Sequence, residues 1–88
     1  MKLIFSSQAW EDYLYWTANN PKVHQRVNEL VKQTRRTPFQ GIGKPKALRG
    51  DLSGWWSRRI THGDRMVYRV AGTGEGKSLE IAQLRFHY

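Results

Sequence analysis

The side chains able to do chemistry in this sequence are basic and aromatic. The last stretch, QLRFHY, ends on His87 and Tyr88, where most chains fray. Two titratable aromatic groups there are either filler or part of a site built around the chain end, and the second is the expectation. An imidazole changes charge near pH 6.5 and can give or take a proton at neutral pH. The other reactive groups are cations. From Arg35 to Arg69 there are nine (Arg35, Arg36, Lys44, Lys46, Arg49, Arg58, Arg59, Arg65, Arg69), against only Asp51 and Asp64. This segment carries +7 of a net charge of +8. Such clustering suits a polyanionic partner, nucleic acid first. His24 and His62 have no metal-ligand spacing to another histidine or acid, so no metal or other cofactor is expected. With no cysteine there is no disulfide framework.

Elements must hold these groups in place. A chain of 88 residues predicts one domain, 1–88, that buries about 60–65% of its unfolded surface around one thin core. No apolar run approaches the ~20 residues of a membrane span, and MKLIFSSQAW reads as a strand rather than a signal peptide. A cytoplasmic protein with no membrane partner is expected. Met1–Phe5 is the first strand. Ser6 or Ser7 caps a helix on which Trp10, Tyr13, Leu14 and Thr17 recur at helical spacing. Asn19-Asn20 breaks it, and Pro21 opens a second helix with Val23, Val27, Leu30, Val31 and Thr34 as its apolar stripe. Residues 39–54 read as a long, glycine-rich loop, of a length that is usually functional or disordered. Three strands follow: WWSRRIT, RMVYRVA and SLEIAQLRF. The order predicts an α+β fold, with two N-terminal helices on one face of a mainly antiparallel sheet of four to five strands.

Alternation along these strands sorts the side chains. Trp56 and Ile60 face one way, and Trp55, Ser57 and Arg59 the other. Met66, Tyr68 and Val70 oppose Arg65, Val67 and Arg69. Ala82, Leu84 and Phe86 oppose Gln83, Arg85 and His87. Leu79 and Ile81 break this pattern, which calls for a bulge near the start of the last strand. With the apolar sets on the helices, Arg59, Arg65, Arg69, Arg85 and His87 share the open face, with no acid among them. Like charges so placed repel unless an anion neutralises them, as an RNA backbone would. Trp55 could stack on a base. AGTGEGKS resembles a phosphate loop, but a strand follows it where that loop needs a helix, so it reads as a hairpin.

The start MKLIFSSQAWEDYLYW, the segment RTPFQGIGKPKALRGDLSGWWSRRIT, the piece RMVYRV and the ending HY together resemble the YoeB-type, ribosome-dependent mRNA-cleaving toxins of the RelE/ParE superfamily. The likeness runs the whole length; SRRIT and the HY end are its most specific parts. The resemblance implies a RelE-like fold and metal-independent cleavage of messenger RNA in the ribosomal A site. The ribose 2′-OH attacks the adjacent phosphate and leaves a cyclic phosphate and a 5′-OH. It places the transition-state arginine at Arg65, the general acid at His87 and the terminal tyrosine at Tyr88. Lys44 and Arg59 fall on phosphate-contacting positions, and Arg49 where lysine is expected. Arg69, Arg85 and Trp55 complete the expected RNA-binding set. The implied partners are mRNA on the ribosome and its rRNA, a YefM-like antitoxin with a flexible acidic tail, and a second copy in a homodimer.

One position departs from the family. Its glutamate base lies within GKPEPL; here the segment reads GKPKAL, with Lys46 in that place. In-line attack by a 2′-OH needs a base, an acid at the leaving oxygen and cations on the non-bridging oxygens. Lys46 either loses its charge among neighbouring cations and serves as base, or stays charged and stabilises the phosphorane while another group takes the proton, or marks a nuclease that binds with weak or no cleavage. The rival functions are a ParE-like inhibitor without nuclease activity and a plain RNA- or ribosome-binding module.

Overall fold

The computed structural model describes residues 1–88. The chain is α+β: β1 (Lys2–Phe5), α1 (Ser7–Asn19), α2 (Pro21–Arg36), β2 (Lys46–Ala47), β3 (Trp56–Arg59), β4 (Arg65–Ala71) and β5 (Ser78–Gln83). The five strands lie in the order β1-β5-β4-β3-β2, with β1 parallel to β5 and every other pair antiparallel. The helices form as their punctuation dictates. The Ser6 hydroxyl accepts the Ala9 N–H at 3.0 Å and caps α1. Asn20 ends α1 with its N–H on the Trp16 carbonyl and caps α2 with its side chain on the Val23 N–H. Pro21 then occupies the first turn of α2.

The core joins both helices to one face of the sheet. Ala9 and Trp16 of α1 and Val27, Leu30 and Val31 of α2 meet Met66, Tyr68, Leu79, Ile81 and Leu84. The buried face of α1 differs from the expected one. Ala9, Asp12 and Trp16 are buried, while Trp10 and Leu14 are about half exposed. The reason is Asp12. It takes a core-facing position with its carboxylate on the Leu84 N–H at 2.9 Å and the Gln8 side chain at 2.9 Å. A buried, satisfied aspartate is invisible to an apolar periodicity.

Three further findings revise the expected strands. The segment 39–54 is not all loop: Lys46 and Ala47 pair with Ser57 and Trp56 and form the edge strand β2. The bulge lies near the end of β5, not its start. Val67 pairs with Gln83 but Tyr68 with Ile81, so Ala82 is the extra residue. Leu79, Ile81 and Leu84 are therefore the buried set, because the bulge switches the alternation between Ile81 and Leu84. Phe86 does not join them. It has φ +66° and is 58% exposed. AGTGEGKS is a tight turn between β4 and β5.

Candidate functional site

One open cleft of about 510 Å³ is lined by Lys44, Pro45, Lys46, Ser57, Arg59, Arg65, His87 and Tyr88. Backbone register brings these residues together. Arg59 of β3 lies directly opposite Arg65 of β4, and Lys46 of β2 directly opposite Ser57 of β3. Like charges paired across two strands cost stability. No aspartate or glutamate lines the cleft. The Arg65 guanidinium is anchored at one end, where Nη1 donates to the carbonyls of Thr61 (2.9 Å), Asp64 (3.0 Å) and His62 (3.1 Å). Its Nε and Nη2 remain free for a ligand. Lys44 adopts φ +52° just after Gly43, whose carbonyl accepts the Arg59 N–H at 2.7 Å, so the lysine-bearing loop is tied to β3.

The chain end reaches the cleft by crossing the sheet. After β5 the Arg65 N–H donates to the Phe86 carbonyl at 3.0 Å, and the Tyr88 hydroxyl lies 3.3 Å from Ser57 Oγ on β3. Ser57 and its cross-strand neighbour Val67 are buried although they face away from the helices. His87 Nδ1–H donates to the main-chain oxygen of Tyr88 at 3.0 Å, and the two rings lie 4.7 Å apart. With Nδ1 occupied, Nε2 is the nitrogen available to a substrate.

The other expected site residues lie elsewhere. Arg49 lines a neighbouring hollow of about 540 Å³ that shares Lys46 and Tyr88 with the cleft. Arg69 is not a free cation, since its Nε is 2.6 Å from Glu80 Oε1, directly across on β5. The expectation of an acid-free open face fails here, because Glu80 comes from the strand whose register the sequence did not fix. Arg69 also lies 4.4 Å over the Trp55 ring, so that face of the indole is covered. Arg85 lies 3.4 Å over the Tyr15 ring on the α1 side and does not line the cleft. The bulge at Ala82 turned it away.

Sequence reasoning missed two contributors. Arg58, counted among the nine clustered cations, is fully buried on the helix side of β3. Its guanidinium donates to the carbonyls of Ile42 (3.0 Å), Gln40 (2.9 Å) and Thr37 and to the Tyr68 hydroxyl (3.2 Å). Its position between Trp56 and Ile60, both core-facing, was the available signal. Asp64 was the other. Its carboxylate accepts the Thr61 hydroxyl at 2.6 Å and the Phe86 N–H at 2.7 Å.

Known proteins resemble this chain closely. A family model described as "YoeB-like toxin of bacterial type II toxin-antitoxin system" matches residues 5–88. Toxin YoeB of Escherichia coli K12 is 52% identical over 88 residues, the full length of both chains. The solved YoeB/ParE toxin from Agrobacterium tumefaciens superposes with a TM-score of 0.97 at 46% identity, with both chains fully covered. Two Staphylococcus aureus structures, a YoeB dimer and a heterotetrameric YoeB-YefM toxin-antitoxin complex, are each 40% identical with a TM-score of 0.87. They cover 100% of this chain and 98% of those chains.

Proposed function

The chain belongs to the YoeB-like toxins of bacterial type II toxin-antitoxin systems, and on that footing we propose that it cleaves messenger RNA on the ribosome by attack of a ribose 2′-OH on the adjacent phosphate. One observation carries the reading: the cross-strand Arg59–Arg65 pair shares a cleft without aspartate or glutamate with His87, Tyr88, Lys44 and Lys46. A scissile phosphodiester there meets cations on its non-bridging oxygens and an imidazole beside its leaving oxygen. As the 2′-O–P bond forms and the P–O5′ bond breaks, His87 in its imidazolium form passes the Nε2 proton to O5′. The free Nε and Nη2 of Arg65, with Arg59 and Lys44, hold the extra negative charge of the phosphorane. Lys46, in the same lining, shares that task. The proton of the 2′-OH goes to a base supplied by the ribosomal complex. Tyr88 packs beside the imidazole and fixes its ring. Neither a metal nor another cofactor enters the reaction.

The partners follow from the same cleft. An acidic antitoxin tail satisfies the cations that RNA otherwise would. The S. aureus toxin in a YoeB-YefM complex supports an antitoxin of that kind, and the S. aureus dimer supports a homodimer. Primer extension on a translated message tests the reading. Cuts at ribosome-occupied codons are expected with the wild type and should fall at least 100-fold in His87→Ala and Arg65→Ala. Intact message with arrested DNA replication would instead identify a ParE-like inhibitor.

A further inference from the structure

The chain end is held by a contact that the reaction itself does not require. Phe86 adopts φ +66°, a left-handed conformation that is strained for any residue with a Cβ, and its ring is 58% exposed. Burial of its side chain therefore does not impose this backbone. Hydrogen bonds do. Asp64 Oδ1 accepts the Phe86 N–H at 2.7 Å, the Arg65 N–H donates to the Phe86 carbonyl at 3.0 Å, and Gln83 Nε2 donates to the Arg85 carbonyl at 3.1 Å. Asp64 is itself fixed, with Oδ2 on the Thr61 hydroxyl at 2.6 Å. The left-handed residue turns the chain from the line of β5 across the end of β4, so that Tyr88 meets Ser57 on β3 and His87 lines the cleft.

We infer that Asp64 is a latch: by holding the Phe86 N–H it fixes the turn that carries His87 and Tyr88 over the cleft, and so acts as a positioning residue for cleavage. It lies one residue from Arg65, so one short segment sets both the guanidinium and the imidazole. The carboxylate works through an acceptor oxygen at one place, not through its charge. An amide oxygen at that place should serve, and a methyl group should not. In its activity arm this inference rests on the nuclease reading above; in its structural arm it does not.

The test is amide hydrogen exchange by NMR on the full chain, with ribosome binding and single-turnover cleavage measured beside it. In the wild type the Phe86 amide should exchange at least 10-fold more slowly than those of His87 and Tyr88. Asp64→Ala should abolish that protection and slow cleavage at least 10-fold, because small misplacements of a reacting group are costly. Its ribosome affinity should stay within about twofold of wild type, since no cation is removed. Asp64→Asn should restore both protection and cleavage to within about threefold. Equal exchange at all three wild-type amides overturns the latch without any variant. So does an Asp64→Ala protein that keeps Phe86 protected or cleaves at the wild-type rate, and so does an Asp64→Asn protein as slow as Asp64→Ala. A wild type that never cleaves ribosome-bound message removes the nuclease reading, while loss of Phe86 protection in Asp64→Ala still upholds the latch.

Discussion

Arg59 and Arg65 face one another across two strands with no acid between them. A directly opposed like pair costs about 0.2–1 kcal/mol. A cost of this kind is borne at sites that bind a counter-charge. Arg59→Gln should therefore raise unfolding free energy by about 0.5 kcal/mol at low salt, and the gain should vanish near 1 M salt, where the Debye length is about 3 Å. The same variant should cleave at least 10-fold more slowly. Denaturant titrations at both salts, beside cleavage assays, check the pair of effects; a variant both less stable and fully active would contradict the argument. Lys46 poses the sharper question, because a carboxylate there can take a proton and an ammonium cannot. If Lys46 stabilises the phosphorane as a charge, Lys46→Ala loses activity and Lys46→Glu exchanges one role for another. Lys46→Glu should then shift the acidic limb of the cleavage–pH profile toward the range of a carboxylate base, near pH 4–5. An unchanged profile would mean that a carboxylate at this position does not reach the 2′-OH proton. At this scale much of the site was legible. Lys44, Lys46, Arg59, Arg65, His87 and Tyr88 were all anticipated, and all line one cleft. Arg69 and Arg85 were anticipated too, but their partners Glu80 and Tyr15 are distant in sequence, and no spacing rule reports such contacts.

The elements position these residues through a buried polar knot. Arg58 reaches from β3 to three carbonyls of the segment after α2, and Tyr68 of β4 donates to the Pro38 carbonyl at 2.6 Å. No carboxylate neutralises Arg58; the C-terminal end of α2 supplies partial negative charge instead. This knot holds the loop that leads into Lys44 and Lys46. Gly43 belongs to it as well. At φ +81°, an added Cβ would sit 2.8 Å from Leu30 Cδ2 and 3.2 Å from the Arg59 carbonyl. Gly43→Ala should cost about 2–3 kcal/mol, read as a lowered melting temperature. Arg58→Met should cost a similar ~2–3 kcal/mol by removing its bonds to three part-buried carbonyls and to the Tyr68 hydroxyl. Burial pushes the Tyr68 phenol above its ordinary value of 10.0, against a smaller opposing pull from Arg58. The native state then holds that proton more tightly than the unfolded chain. Its contribution to stability is complete below pH 10 and is lost as pH rises through the raised native value. Tyr68→Phe should be less stable than wild type at pH 7 by about 1–2 kcal/mol, with a gap that narrows above pH 10. Thermal melts from pH 7 to 11 check the sign, and a widening gap would refute it. The helices were legible because serine, asparagine and proline punctuate them. The exposed face of Trp10 and Leu14, the bulge at Ala82 and the strand at Lys46–Ala47 were not. Each is decided by tertiary partners: Asp12 on the Leu84 amide, the register of β4 on β5, and the pairing with β3.

Across the whole molecule, which carries a net charge of +8, the one side-chain ion pair is Arg69–Glu80. The free cations of the cleft lie together at the end of the sheet where β4 begins, open to a polyanion. No helix is long and apolar enough to cross a membrane. Binding to ribosomes should then be governed by counterion release, so that the logarithm of affinity falls linearly with the logarithm of salt concentration. The structure says which cations contribute. Lys44, Lys46 and Arg59 line the cleft unpaired, so each alanine variant should lower the salt slope by about 0.7–0.9, the value of one neutralised phosphate. Arg69 is already neutralised by Glu80, so Arg69→Ala should leave the slope unchanged within error. Equilibrium binding at several salt concentrations, in a His87→Ala background to prevent cleavage, separates the two classes. A slope that falls equally for Arg69→Ala and Lys44→Ala would mean that net charge, rather than the cleft, drives association. The cross-strand arginines would then have no privileged contact with the RNA backbone.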